Sequence, residues 1–369
     1  MKTRLALSAL TAAVLLSSCG DIRSISSIKQ VEDDNYLYTM DFQGRYDLDE
    51  VISKDIDGNE ALLSYVAGKI SRGLYKPKPK KTASGEAEVN CTSFQAKNAD
   101  GDGYLYGRNY DMFKNPTLVM TNHPEGAYAS ISTCDLSHLG YSIDKVPDKF
   151  KNKLFCLAAV YAPMDGMNEK GLCTSIMALP KQPAQQDSGK HKVGTSILMR
   201  LWLDRCATVD EALALLETVD VCHDTIAGSG YHYMVADASG DCAVVEFDLK
   251  DGWKTMITRK PDSLNAMHVT NHLLAEKYYT EEENPEYGNP HSKSWWRYSQ
   301  VAAFLAAHNG ILSREEAQEC LSEVHWKDFH WENGQFVEDT QWSNVYDQKE
   351  LKLYLRNWNS YDKTVEFGL

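Results

Sequence analysis

Cys91 stands where a chain start would be useful. A cysteine freed at an N-terminus carries a thiol nucleophile and, a few ångströms away, its own α-amine. The reference pKa of that amine is near 8, so it can take the thiol proton at neutral pH without a separate histidine. Inside a longer chain the same nitrogen is an amide, and the residue stays silent until the peptide before it is cut. The stretch CTSFQAKNADGDGYLYGRNYDMF supplies two further groups: Arg108 to hold a thiolate by charge, and Asp111 to accept from a new α-ammonium.

Those groups meet only if the intervening chain folds back. Thr92 to Ala96 reads as extended, the Asn/Asp/Gly cluster from Asn98 to Gly103 as a turn, and Tyr104 to Met112 as a second strand, which makes a hairpin. The pattern Asn98-x-Asp100-x-Asp102-Gly103 also imitates the start of a calcium loop. Its twelfth position is Asn109 rather than Glu, so the turn reading is preferred and no metal is expected. No CxxC pair or HxxxH spacing occurs either, and the eight cysteines from Cys91 onward read mostly as small buried residues.

The ninety preceding residues divide into three. The opening MKTRLALSALTAAVLLSSCG has Lys2 and Arg4, an apolar run from Leu5 to Leu16, and small residues before Cys19. It reads as a signal peptide of the bacterial lipoprotein type, with lipid on Cys19 as the new N-terminus and the protein exported, facing the periplasm or cell surface. Residues 20–57 look polar, and NEALLSYVAGKISRGLY reads as a helix with Leu62, Leu63, Val66 and Ile70 on one face. KPKPKKTASGEAE, residues 76–88, cannot pack and reads as an exposed linker. Residues 20–90 are accordingly expected to be a propeptide removed at Asn90-Cys91, leaving one domain over residues 91–369.

Composition narrows the partners. The formal charge is −14, and −16 once Lys2 and Arg4 leave, which argues against nucleic acid or anionic lipid as a partner. Membrane contact is then expected only through lipid on Cys19, and association of identical chains stays open. Hydrophobic content of 43% and charged content of 24% are those of a globular chain with a sizeable core.

Downstream, Thr208-Val209-Asp210-Glu211 reads as a capping box opening a helix, and Ser313 with Glu316 as another. The run 232–247 reads as a hairpin around Ser239-Gly240-Asp241, Ser294 to Ala307 as a helix stopped by Gly310, and Leu351 to Leu355 as a closing strand.

Five blocks in order resemble one family: Cys91-Thr92-Ser93 with Gly107-Arg108-Asn109-x-Asp111, then DGMNEKGL (165–172), HYMVADASGDCAVVEF (232–247), His268-Val269-Thr270-Asn271, and Arg297. The chain resembles the choloylglycine hydrolase family of N-terminal-nucleophile hydrolases, with bile salt hydrolases and penicillin V acylases. Its Cys-Thr-Ser opening and propeptide are also similar to those of acid ceramidases and N-acylethanolamine amidases. The resemblance implies an α+β fold, a four-layer αββα sandwich, and a cysteine amidase acting on a linear amide without a cofactor. It makes Cys91 nucleophile and base, with Arg108 and Asp111 as partners. Asn271 becomes an oxyanion donor through its side-chain amide, Arg297 the anchor of the hydrogen-bond network, and the backbone N–H of Ala178 a second oxyanion donor. Bile salt hydrolases carry Asn at the position of Ala178. That change, together with the long propeptide, turns the expectation away from bile salts alone, toward N-acyl amino acids, ethanolamides or penicillin V-like amides as well. Acyl transfer to an amine, and a lipoprotein that binds acyl ligands without turnover, are the alternatives. His232, His268 and His272 invite a papain-like pairing, but no papain-type sequence surrounds Cys91, and they read as structural, as do Trp295 and Trp296.

Overall fold

The hairpin forms at the centre of the molecule. In the computed structural model, Asn90–Asn98 runs antiparallel to Tyr104–Met112, turning through Gly103 at a φ of 103°. Described are residues 19–56, 59–70, 90–179, 183–223, 230–280, 284–330 and 337–369; the expected signal peptide through Ser18 and the expected linker 76–88 lie outside the described residues. Within the hairpin Gly107 is required by contact rather than by dihedral angle. A Cβ there would sit 2.3 Å from the Phe94 ring, which crosses over the glycine from the neighbouring strand.

Around this hairpin an eight-stranded sheet runs in the spatial order Ala266–Val269, Asn90–Asn98, Tyr104–Met112, Val337–Asp347, Lys352–Asn357 and Val365–Gly368, with two short strands at its margins. A nine-stranded sheet faces it, and near its middle lie Asp165–Asn168, Cys173–Leu179 and Gly230–Ala236. Three apolar clusters correspond to three interlayer seams. Cys91, Tyr106, Tyr110, Met177, Val244 and Trp342 pack between the sheets. Helices Lys293–Ala307 and Arg314–Glu323 bury Val301, Leu305 and Leu321 against Phe94 and Val345 on the outer face of the eight-stranded sheet. Thr195–Arg205, Val209–Leu216 and the 3₁₀ turn Leu154–Tyr161 cover the other sheet. This is the expected αββα sandwich, each sheet hydrophobic on both faces because each is covered twice.

Local signals behave as their chemistry requires. Ser313 and Glu316 close a full capping box, whereas Thr208 caps through the Glu211 N–H while the Glu211 carboxylate turns to the Ala207 N–H, one residue before the box position. The helix ahead of the linker spans Asn59–Ile70, and the 232–247 hairpin turns at Gly240 with φ 94°.

Two readings of the sequence differ from the structure. Leu351–Leu355 falls in the strand Lys352–Asn357, but Val365–Gly368 pairs outside it and closes the sheet. Residues 20–57 are not a polar lead-in. Leu37–Phe42 joins the nine-stranded sheet parallel to Thr117–Asn122, sending Tyr38, Met40 and Phe42 into the helix seam and Leu37 between the sheets. Polar residues at alternate positions hid a half-buried strand. Asp34 secures the far end, accepting hydrogen bonds from Asn357 Nδ2 at 3.0 Å and Ser360 Oγ at 2.6 Å. Residues 19–70 thus share one core with the chain from Asn90 onward.

Met40, 2% exposed, lies in that shared seam. Met40→Ala in a full chain also carrying Cys91→Ala is expected to lower unfolding stability by about 2 to 5 kcal/mol, measured by urea denaturation. A change under about 0.5 kcal/mol would mean that the N-terminal segment merely rests on the domain.

Candidate active site

Strand alternation sorts the residues around Cys91 onto two faces. Cys91 pairs with Tyr110, Ser93 with Arg108 and Asn90 with Asp111. Cys91, Arg108 and Tyr110 point between the sheets; Asn90 and Asp111 point toward the helix layer. Arg108 therefore approaches the thiol, while Asp111 lies on the side of the peptide that precedes Cys91.

Arg108 is fully buried. Its Nη2 donates to the Ile176 carbonyl at 2.6 Å, its Nε lies 3.8 Å from Asp165 Oδ2, and its guanidinium rests 5.6 Å from the Tyr110 ring centre. Asp165 accepts in turn from Trp342 Nε1 at 2.8 Å, Asn344 Nδ2 at 2.7 Å and the Tyr346 hydroxyl at 2.5 Å. Nε and Nη1 of Arg108 have no hydrogen-bond acceptor among the described residues. Burial pushes the Cys91 thiol up, and the Arg108 charge is the largest influence pulling it down.

Arg297, from helix Lys293–Ala307, gathers the junction. Its Nη1 donates to the Cys91 carbonyl and, at 3.1 Å, to Thr92 Oγ1; its Nη2 donates to Asn90 Oδ1 and Asn271 Oδ1, both at 2.8 Å. Asn271 Oδ1 also accepts the Cys91 N–H at 2.6 Å. With two donors on its oxygen, the amide orientation of Asn271 is fixed, and its Nδ2 donates to the Ala178 carbonyl at 2.8 Å. The main-chain N–H of Asn271 is held by Ser294 Oγ at 2.8 Å. Asn271 and Ala178 thus lie side by side, next to the nitrogen of the Asn90–Cys91 peptide.

Asp111 accepts from Thr340 Oγ1 at 2.6 Å through Oδ1, and its Oδ2 has no hydrogen-bond partner among the described residues. Burial raises its pKa to about 7, against the opposing pull of Arg297. Two residues of the site had gone unnoticed in the sequence. Thr340 supports Asp111, and the Glu338 carboxylate accepts from Asn90 Nδ2, which lies 2.8 and 2.9 Å from its two oxygens. Both come from the strand Val337–Asp347, whose register slips at Gln341. This bulge puts Thr340 and Glu338 on the helix side, while Trp342, Asn344 and Tyr346 beyond it point inward to Asp165.

The histidines are not brought onto the thiol by any hydrogen bond. His232 spans Glu246 Oε1 at 3.1 Å and the Thr270 carbonyl at 2.7 Å, and His272 Nδ1 faces Ser294 Oγ at 2.9 Å. Burial lowers His272 to about 3 and His268 to about 4, so both are neutral supports of the loop that carries Asn271. Trp295 stacks with Tyr298 at 5.4 Å in the same packing. None of the nine cysteines forms a disulfide among the described residues; Cys19 is exposed and the other eight are buried. Among the described residues no helix is long and apolar enough to cross a membrane.

The architecture is shared with solved structures. A mutant of conjugated bile acid hydrolase from Clostridium perfringens matches with a TM-score of 0.54 at 15% identity, covering 76% of this chain and 92% of that one. Penicillin V acylase from Agrobacterium tumefaciens matches with a TM-score of 0.50 at 18% identity, covering 72% and 83%. No curated protein matches the sequence. The family model for acyl-coenzyme A:6-aminopenicillanic acid acyl-transferase matches residues 88–360, from just before the buried junction nearly to the last strand, and the chain belongs to that family.

Proposed function

We propose that this protein is a self-processing cysteine amidase, with Cys91 as nucleophile, that hydrolyses linear amides of acyl groups. The observation that carries this reading is the convergence of Arg297 and Asn271 on the residues that flank one buried bond: Arg297 holds the Asn90 side chain and the Cys91 carbonyl, Asn271 takes the Cys91 N–H, and Arg108 faces the thiol beside them. A thiol that is 1% exposed can meet little except the carbonyl preceding it in its own chain.

In maturation the Cys91 sulfur bonds to the Asn90 carbonyl carbon as the C–N bond breaks, and the thiol proton passes to the departing nitrogen. Water then resolves the thioester: its hydroxyl goes to the acyl carbon and a proton returns to sulfur. The chain now begins at Cys91 with a free α-amine. That amine serves as base toward its own thiol, and Asp111 accepts from its protonated form. An amide substrate passes through the same two steps. The α-ammonium protonates the leaving amine, and the Asn271 amide with the Ala178 N–H stabilises the oxyanion.

The acyl-transferase activity for which the matched family is named favours a second reading, in which an amine rather than water takes the acyl group from the thioester. Incubating the mature enzyme with an acyl amide and increasing amounts of an acceptor amine separates the two: hydrolysis gives free acid throughout, and transfer gives new amide in proportion to acceptor. Varying the acid and amine halves among N-acyl amino acids, ethanolamides, conjugated bile acids and phenoxyacyl amides defines the substrate. We further propose lipid attachment at Cys19 and export, checked by incorporation of radiolabelled fatty acid that Cys19→Ala abolishes.

Three outcomes test the enzyme reading. The exported chain is expected to separate under denaturing conditions into a piece ending at Asn90 and one beginning at Cys91. Under native conditions the pieces co-migrate, because residues 19–70 share the core. Cys91→Ala remains one chain, and N-terminal sequencing that finds another start contradicts the scheme.

For Asn271→Ala, measured on protein confirmed to start at Cys91, kcat is expected to fall roughly 10²- to 10³-fold with little change in KM. A rise in KM at near-normal kcat would make Asn271 a binding residue instead.

The Asp111 carboxyl supplies a pH signature. Its folded pKa, about 7, lies above its unfolded value, so its contribution is fully present below the unfolded pKa and is lost as pH rises to about 7. In uncleaved Cys91→Ala protein, the melting temperature is expected to drop between pH 5 and pH 8, and adding Asp111→Asn should shrink that drop. An unchanged drop would place the titration elsewhere.

A further inference from the structure

Asn90 is held more completely than a residue destined only to be cut away needs to be. Its side-chain amide nitrogen donates to the Glu338 carboxylate, lying 2.8 and 2.9 Å from its two oxygens, and its oxygen accepts from Arg297 Nη2 at 2.8 Å. Asn90 is 5% exposed and Glu338 3%, so these bonds form where water does not compete. The two residues come from distant parts of the chain, and Glu338 reaches Asn90 only because the bulge at Gln341 turns that end of its strand to the helix side.

The arrangement discriminates chemically. An N–H donor facing a carboxylate beside an oxygen acceptor facing a guanidinium is the pattern of a carboxamide. Aspartate would set one carboxylate against another, alanine would leave Glu338 and Arg297 without these bonds, and glutamine is one methylene too long for the same pair of contacts. The same guanidinium that holds Asn90 Oδ1 also holds the Cys91 carbonyl and Asn271 Oδ1, and Asn271 Oδ1 takes the Cys91 N–H, so the peptide between Asn90 and Cys91 is held from both of its flanks.

Resting on the self-processing reading, we propose that Glu338 and Arg297 form a recognition subsite for asparagine at the residue preceding the scissile bond, with Glu338 acting as the positioning residue of the cleavage. Glu338 acts through Asn90, not on the reacting atoms. It holds the carbonyl carbon of Asn90 where the Cys91 sulfur can attack. Cleavage converts that carbonyl into a carboxylate beside Glu338 and Asp111, and the added repulsion favours withdrawal of the freed end. One subsite thereby grips the precursor and releases the product, opening the thiol to external amides.

The test follows cleavage of purified full-length precursor over time at pH 8 by mass spectrometry, with folding checked by circular dichroism. Asn90→Asp and Glu338→Ala are each expected to cleave at least about tenfold more slowly than wild type, in line with breaking a buried charged hydrogen-bond pair. Glu338→Gln keeps one acceptor for Asn90 and should slow cleavage only a few-fold. The decisive variant combines Asn90→Asp with Glu338→Gln: the introduced amide can donate to the introduced carboxylate, and cleavage is expected to recover to within a few-fold of Glu338→Gln alone. Recovery in the double variant requires direct contact, which general loss of stability does not produce. Normal cleavage of Asn90→Asp or Glu338→Ala, or a double variant as slow as Asn90→Asp, overturns the subsite while leaving self-processing intact. A wild-type chain that is never cut at Asn90–Cys91 overturns the self-processing reading itself, and the subsite with it.

Discussion

The buried guanidinium of Arg297 is the constraint around which the site is organised. A full charge in a dry interior is tolerated only when its hydrogens are taken and counter-charges stand near. Arg297 meets most of that need with the Cys91 carbonyl, Thr92, Asn90 and Asn271, and with Asp111 and Glu338 as nearby acids, while its Nε has no hydrogen-bond partner among the described residues. Removing any one acceptor exposes the others to the same deficit, so nucleophile, oxyanion loop and junction are held to a common geometry. The second cation, Arg108, is fixed from the opposite side of the strand by Ile176 and Asp165, and the two arginines bracket Cys91 without sharing a ligand.

In the proposed maturation, cleavage would change the charge inventory of this pocket in a defined way. The intact peptide is neutral, and hydrolysis replaces it with an amine that can carry a proton and a carboxylate. Asp111, whose charge burial resists before the cut, gains a cation next to it and is favoured in its ionised form afterwards. The precursor and the mature site are thus two electrostatic states of the same residues, and the difference between them is made by one bond.

Much of this was legible in the sequence, for physical reasons that differ by residue. Cys91, Arg108 and Asp111 stand out because a short hairpin with a Gly-rich turn makes their proximity a local matter. Asn271 and Arg297 could be placed only through the order of the family blocks, since nothing local predicts that a loop and a helix converge on residue 91. Glu338 and Thr340 were invisible: a bulge at Gln341 reverses which residues share a face, and no pattern of period two survives it. The strand Leu37–Phe42 was missed for the opposite reason. Its alternation of Tyr38, Met40 and Phe42 with polar residues was present, but the surrounding acidic and serine-rich composition drew attention away from it.

The topology of that N-terminal segment also decides what ties the nucleophile to a surface. In the proposed scheme a lipid on Cys19 and the thiol of Cys91 would begin on one polypeptide, and maturation would leave them on two. The helix Cys19–Ser27 starts at the proposed lipid position itself and buries Ile25, so no tether would separate such an anchor from the folded body. The catalytic piece would then be retained at a membrane by the cohesion of an intramolecular core that has become an interface between subunits. Its hold lasts as long as Leu37–Phe42 remains in the sheet, and shedding of the active piece becomes a question of strand dissociation rather than of proteolysis.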